Sequence, residues 1–60
     1  MQNEMAIENA KYIAYEGVNV TVDCTIDGVE MSVPLDPANR HYAEILRQVE
    51  AGTLTIQEAV

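Results

Sequence analysis

The clearest pattern in the chain is a strict alternation of apolar and polar residues over residues 18–26, VNVTVDCTI. An alternation with a period of two predicts a half-buried β-strand, because successive side chains of a strand point to opposite faces. The apolar face of this strand is predicted to carry Val18, Val20, Val22, Cys24 and Ile26. The pattern therefore indicates a strand with one face against a core.

Asp27-Gly28 follows this strand and predicts a tight β-hairpin. A type I′ turn needs positive φ at both central residues, and Asp-Gly tolerates that conformation. A two-residue loop puts the apolar residues of both strands on the same face. The predicted pairs are Ile26 with Val29, Cys24 with Met31, and Val22 with Val33.

The segment KYIAYEGV, residues 11–18, predicts a preceding strand that turns at Glu16-Gly17. Such a turn would place Tyr15 opposite Val18 and Ile13 opposite Val20, on the same apolar face. Residues 1–9 are interpreted as a flexible N-terminal arm, and residues 10–60 as a single small domain. The three strands would form an antiparallel meander whose apolar face needs a cover.

The segment VPLDPANRHYAEIL, residues 33–46, predicts the change from strand to helix. Pro34 has no N–H and ends the ladder. Asp36 is a suitable N-cap and Pro37 suits the first helical position. We therefore predict a helix from about Pro37 to Ala51, with Gly52 as its stop. Its apolar stripe, with Leu46 at the centre of the contact with the sheet, is predicted to comprise Ala38, Tyr42, Ile45, Leu46 and Val49.

The predicted fold class is therefore α+β: a three-stranded antiparallel meander covered by one C-terminal helix, in the order β-β-β-α. The segment after Gly52 leaves two alternatives open. TLTI, residues 53–56, has strand character and would give a short fourth strand, whereas Thr55 and Glu58 have the spacing of a capping box at the start of a helix.

The small size of the chain limits its stability. Sixty residues make one domain, and a domain of this size buries only about 60% of the surface exposed by the unfolded chain. Trp and Phe are absent, and Cys24 is the single cysteine, which excludes a disulfide within the chain. A buried, unreactive thiol is the expected role of Cys24. Such domains often gain stability from oligomerisation.

The charge of the chain is strongly negative, at −7, with ten acidic residues against Lys11, Arg40 and Arg47. An acidic surface repels phosphate backbones, so we expect no nucleic-acid partner. No apolar run has the length of a transmembrane segment, and no signal peptide is evident, so we expect no membrane partner. A partner with a basic surface is compatible with this charge.

Residues that could carry catalysis or bind metal are few. His41 and Cys24 are single residues of their types and cannot complete a structural zinc site, which needs four ligands. Asp23, Asp27 and Glu30 lack the spacing of an EF-hand loop. No nucleophile motif surrounds Ser32. We therefore expect no catalytic residue, no cofactor and no metal site.

The start of the predicted helix contains the best candidates for contact with another protein. Arg40, His41 and Tyr42 form either an ordinary first turn or part of a contact surface, because Arg and Tyr are favoured anchors at interfaces. Leu54 and Ile56 are further candidates, as apolar residues that one helix would leave uncovered. An exposed strand edge could also add to the sheet of a neighbour.

Residues 33–56 also resemble a pattern of small tailed-phage and prophage proteins: V-P-x-D-x-x-N-x-x-Y, followed by a helix and a Gly-Thr or Gly-Asn segment. The chain departs from many of these proteins in having no Trp in the helix. The resemblance covers under half of the chain. The matching positions are Val33, Pro34, Asp36, Asn39, Tyr42, Gly52 and Thr53.

The resemblance implies a non-enzymatic, virion-associated protein, for capsid decoration or cement or as a neck or tail accessory. It would act by binding other virion protein subunits as a homo- or hetero-oligomer, in the virion or in the host cytoplasm during assembly. The alternative is an intracellular phage binding module: an assembly chaperone, or an acidic inhibitor of a host protein.

Overall fold

A computed structural model describes residues 5–59 and confirms the predicted α+β fold, with three antiparallel strands followed by one helix. The strands pair in the order β1-β2-β3. The elements are β1 (Ile7–Tyr15), β2 (Val18–Ile26), β3 (Val29–Pro34) and α1 (Arg40–Glu50).

The hairpin between β2 and β3 has the predicted turn and register. Asp27 and Gly28 have φ angles of 52° and 85°, the positive pair that a type I′ turn requires. The three predicted pairs are confirmed: Ile26 with Val29, Cys24 with Met31, and Val22 with Val33.

The hairpin between β1 and β2 differs from the prediction in its register. The turn lies at Glu16-Gly17 and Tyr15 is opposite Val18, as predicted. Ile13, however, lies opposite Thr21, so Val20 is the extra residue of a β-bulge. The predicted pairing of Ile13 with Val20 is wrong, because it assumed a regular ladder along both strands.

The first strand starts earlier than expected. Residues 7–9, which were assigned to a flexible arm, belong to β1, because Ile7 is buried opposite Ile26 and completes the core. The Asp27 N–H donates to the Ala6 carbonyl at 2.9 Å, and the Ala6 N–H donates to the Asp27 carboxylate at 3.0 Å. Residues 5 and 6 of the predicted arm are also held, since Ala6 makes these bonds and Met5 packs on the core. Residues 1–4 of that prediction lie outside the described residues.

A second bulge lies in β1. Glu8 is opposite Thr25 and Lys11 is opposite Asp23, so two residues of β1 face one residue of β2. Asn9 has a φ of 57°, in the left-handed region that Asn tolerates better than most residues. The bulge turns Ala10 into the core, where it is buried.

The helix starts one turn later than predicted. Asn39 is the N-cap, and its side-chain oxygen accepts a hydrogen bond from the Tyr42 N–H at 3.1 Å. Asp36 instead accepts from the Ala38 N–H at 3.0 Å and closes a preceding turn. The prediction that Asp36 caps a helix beginning at Pro37 is therefore wrong. Residue type alone could not separate the two positions, because Asp36 and Asn39 are both good caps three residues apart.

The helix ends in a Schellman motif around Gly52, as the sequence predicted for its stop. Gly52 has a φ of 83°, its N–H donates to Val49 O at 3.1 Å, and the Thr53 N–H donates to Gln48 O at 3.0 Å. These two bonds satisfy carbonyls that the end of a helix would otherwise leave unpaired.

The helix packs on the sheet through a face that shares Tyr42 and Ile45 with the predicted stripe but is rotated towards Gln48. Ile45 is fully buried and Gln48 is 5% exposed, whereas Leu46 is 41% exposed. The prediction that Leu46 makes the central contact is therefore wrong, because the helix turns the Gln48 side of its surface inward. The buried apolar core comprises Ile7, Ala10, Val22, Cys24, Ile26, Val33 and Ile45.

The segment after the helix returns along the free edge of β1. The Tyr12 N–H donates to Gln57 O and the Gln57 N–H donates to Ala10 O, both at 2.9 Å. These bonds form an isolated parallel bridge between Lys11 and Gln57. The suggested fourth strand is thus reduced to one bridge, and residues 53–59 contain no helical turn.

Within residues 5–59, no helix has the length and apolarity to cross a membrane.

Candidate functional site

The β1–β2 hairpin extends beyond the rest of the sheet. Pro34, the last residue of β3, lies opposite Thr21, so the part of β2 before Thr21 has no neighbour in β3. We call residues 13–20 the distal hairpin. All eight of its residues are exposed, and the molecule measures 42 Å along its longest axis against 22 and 21 Å across.

The distal hairpin is exposed but largely apolar. The exposed fractions are 36% for Ile13, 68% for Tyr15, 63% for Val18 and 43% for Val20. The sequence pattern placed these four residues on the core face. The structure leaves them outside the core.

The bulge at Val20 decides which face carries these side chains. Tyr12 lies opposite the buried Val22, so both face the core, and Ile13, the next residue, lies opposite Thr21 on the outer face. Tyr15 shares the face of Ile13 because side chains alternate along a strand, and Val18 shares it because paired residues lie side by side. Ile13, Tyr15 and Val18 therefore form one apolar surface that points away from the helix.

Both edges of the distal hairpin are free of strand partners within residues 5–59. On the β2 side, pairing with β3 ends at Thr21, and on the β1 side the bridge from Gln57 contacts only the region around Lys11. Edge strands present unpaired N–H and C=O groups that can pair with another chain. The distal hairpin thus offers backbone groups as well as apolar side chains.

The exposed charge of the described residues is mostly negative. Glu16, at the tip of the distal hairpin, is the only charged residue of that hairpin. Within residues 5–59, eight acidic residues are exposed: Glu8, Glu16, Asp23, Asp27, Glu30, Asp36, Glu50 and Glu58. Arg47 forms an ion pair with Glu44, with its Nη2 atom 2.7 Å from Oε2. The distal hairpin is therefore a largely apolar extension of an acidic domain.

The residues predicted as contact candidates lie elsewhere. Arg40 is exposed and His41 half-buried at the start of the helix, while Tyr42, Leu54 and Ile56 are half-buried and pack against the core. The structure therefore uses the last three to cover the sheet, with parts of each still accessible. Their role in contact with another protein stays a prediction.

The positions shared with the phage pattern have clear structural roles. Val33 is buried, Pro34 ends β3, and the side chains of Asp36 and Asn39 accept backbone hydrogen bonds. Tyr42 packs on the core. Gly52 and Thr53 complete the end of the helix, where Thr53 Oγ1 also donates to Gln48 O at 3.2 Å. The pattern thus describes how a strand joins a capped helix.

The remaining reactive groups do not form a chemical centre. Cys24 is buried, and that burial, followed by the neighbouring Asp23 charge, raises the pKa of its thiol. On the outer face of the sheet, an open depression lies beside Lys11 and Asp23, and the Ser32 hydroxyl donates to Asp23 at 2.7 Å. Among residues 5–59, no three His, Cys, Asp or Glu side chains are grouped to hold a metal ion.

Sequence reasoning missed the distal hairpin, although one signal was available. With the Asp27-Gly28 turn placed, counting back from the turn puts Pro34 opposite Thr21. The longer β2 must then extend past the end of β3, which leaves Val18 and Val20 without cover from it. The bulge itself has no comparable local signal in the sequence.

Comparisons of the chain with protein-family models, curated proteins and solved structures find no match.

Proposed function

We propose that this chain is a small non-enzymatic protein of a phage particle, which acts by binding other virion subunits. The observation that carries the binding role is the distal hairpin, where Tyr15 and Val18 are more than 60% exposed. Large apolar side chains that are clustered and exposed mark interaction surfaces in small proteins. The resemblance of residues 33–56 to small phage proteins supports the virion setting.

The size of the domain supports the same role. The seven buried apolar residues found within residues 5–59 form a small core, which leaves a small margin of stability. Binding to a larger assembly stabilises such a domain, because any partner that binds only the folded state shifts the folding equilibrium. Capsid decoration or cement, and a neck or tail accessory, both provide that setting.

The proposal is tested by quantitative mass spectrometry of purified particles from the source that encodes the chain, scaled against the major capsid protein. A copy number close to that of the capsid protein supports decoration or cement. A low and fixed number supports a neck or tail position. Absence of the chain from the particles would overturn the virion role.

The second candidate is an intracellular phage binding module, either an assembly chaperone or an acidic inhibitor of a host protein. The eight exposed acidic residues favour it, because a dense negative surface attracts basic partners. The same mass spectrometry separates the two functions when infected cells are measured beside particles. A binding module would be abundant in cells and absent from particles.

A further inference from the structure

We infer that the distal hairpin lies lengthwise in an open apolar groove on a partner subunit of the particle, and that this groove has a basic rim at the end that meets Glu16. The inference rests on the proposed function and adds the chemistry of the partner and the way it is bound. Three properties of the hairpin support it: its contact area, its free edges and the charge of the body behind it.

The contact area favours a groove over a flat surface. Ile13, Tyr15 and Val18 form the apolar outer face, and three side chains fall well short of the roughly 800 Å² that each partner buries in a standard interface. Two copies packed face to face would each bury no more than these three side chains. A groove that encloses the ribbon would contact both faces, since every residue from 13 to 20 is exposed.

The free edges favour the same arrangement. On one edge the pairing with β3 stops at Thr21, and on the other the Gln57 bridge stops near Lys11. The walls of a groove can supply hydrogen bonds to these backbone groups, as in recognition by strand addition. Main-chain pairing gives such a contact its register, and the side chains on alternate positions give it selectivity.

Charge identifies the rim of the groove. The chain carries a net charge of −7, and Glu16 lies at the tip of the hairpin. A second copy would bring an equal negative charge, which opposes association. Lys and Arg side chains around the groove would instead attract the acidic body and accelerate the encounter. The contact should therefore weaken as salt is added, because salt screens exposed charges.

The test uses particles assembled without the chain, to which the purified full chain is added back. Bound chain is measured by mass spectrometry against the capsid protein. We expect Tyr15→Ser combined with Val18→Thr to lower binding at least about tenfold, since truncating central aromatic anchors commonly has effects of this size. The matched control is Leu46→Ser, an exposed apolar residue of the helix, which should leave binding within about twofold.

The charge component is tested in the same assay. Binding of the unaltered chain should fall between about 0.05 M and about 0.5 M NaCl, over which the screening length shortens several-fold. Glu16→Gln should reduce this salt dependence without removing an apolar contact. Glu50→Gln, at the far end of the helix, is the control and should have less effect. Circular dichroism melts establish that each variant is folded.

Several outcomes would overturn the inference. If the Tyr15 and Val18 double variant bound as tightly as the unaltered chain, the hairpin would be excluded as the contact. Binding that strengthens as salt is added would exclude a basic rim. A dimer of the isolated chain that Tyr15→Ser dissociates in analytical ultracentrifugation would identify a second copy as the occupant. Absence of the chain from native particles would overturn the proposed function together with this inference, whereas presence with unchanged variant binding would overturn this inference alone.

Discussion

The side-chain amide of Gln48, in the helix, donates a hydrogen bond to the backbone carbonyl of Met5 at 2.9 Å. The same Nε2 atom donates to Glu44 Oε2 at 2.8 Å. Gln48 is the buried polar residue of the described chain, and these bonds remove the penalty of burying its donors. The bond between Gln48 and Met5 joins the helix to the segment before β1. It orients the helix so that Leu46 is left partly exposed.

Gln48→Glu should lower the free energy of unfolding by about 2–3 kcal/mol near neutral pH. A carboxylate at this position would face the Met5 carbonyl and the Glu44 carboxylate, and it has no proton to donate to either. Thermal melts followed by circular dichroism measure the effect. Gln57→Glu makes the same chemical change at an exposed side chain and should cost no more than about 0.5 kcal/mol. Equal melting temperatures for both variants would contradict the burial of Gln48.

Ile45→Ala should destabilise the fold by about 2–5 kcal/mol, because it leaves a cavity where the helix meets the sheet. Leu46→Ala, one position further on, should cost about 1 kcal/mol or less, since Leu46 is 41% exposed. Urea denaturation of the two variants gives the comparison directly. A larger loss for Leu46→Ala than for Ile45→Ala would place the other face of the helix on the core.

Gly28→Val should destabilise the fold by about 1–2 kcal/mol, because a β-branched residue resists the φ of 85° found there. No atom lies within 4 Å of an added Cβ, so the cost comes from the backbone and not from a clash. Gly28→Asn is the matched control and should retain more stability, since Asn tolerates the left-handed region. If Gly28→Val and Gly28→Asn had the same denaturation midpoint, that result would argue against the type I′ turn.

Glu44 should make the stability of the fold depend on pH in acid. Hydrogen bonds from Arg47 and then from Gln48 lower the pKa of the Glu44 carboxyl from its ordinary 4.5 to about 2. Ionised Glu44 therefore stabilises the folded state above its ordinary pKa, and this contribution disappears as the pH falls through that range towards 2. Glu44→Gln should melt at a lower temperature than the parent near neutral pH.

The difference in melting temperature between Glu44→Gln and the parent should then shrink as the pH is lowered towards the folded-state pKa. Differential scanning calorimetry at a series of pH values records it. Glu50→Gln, an exposed acidic residue at the end of the same helix, serves as the control for a change in net charge. A gap that stays constant with pH would show that the ionisation of Glu44 contributes nothing to the stability of the fold.

The parts of the fold that could be predicted from the sequence are those decided by neighbouring residues. Asp27-Gly28 adopts the positive φ angles that its chemistry favours, Gly17 supplies one of the two that the Glu16-Gly17 turn needs, and the register of β3 on β2 follows from the length of the turn. Gly52 ends the helix for the same local reason, because it lacks the Cβ that resists a positive φ. Each of these features depends on a few consecutive residues.

The parts that could not be predicted depend on distant residues. Asp36 and Asn39 are equally good caps by residue type, and the packing of Tyr42 on the core accompanies the choice of Asn39. Gln48 has no apolar character, and its burial requires the Met5 carbonyl 43 residues away in the chain. The distal hairpin was missed because its exposure depends on where β3 ends and on the bulge at Val20, and alternation within one strand reveals neither.

The bridge from Gln57 to β1 has a consequence for the order of folding. Both hairpins close through turns of two residues, so their strand contacts are local in sequence, and local contacts form quickly. The bridge joins residues 11 and 57 and therefore closes a loop that contains most of the chain, at the larger entropic cost of a long loop. The meander should consequently form first, and the closing segment should dock last and be the first to detach when the protein unfolds.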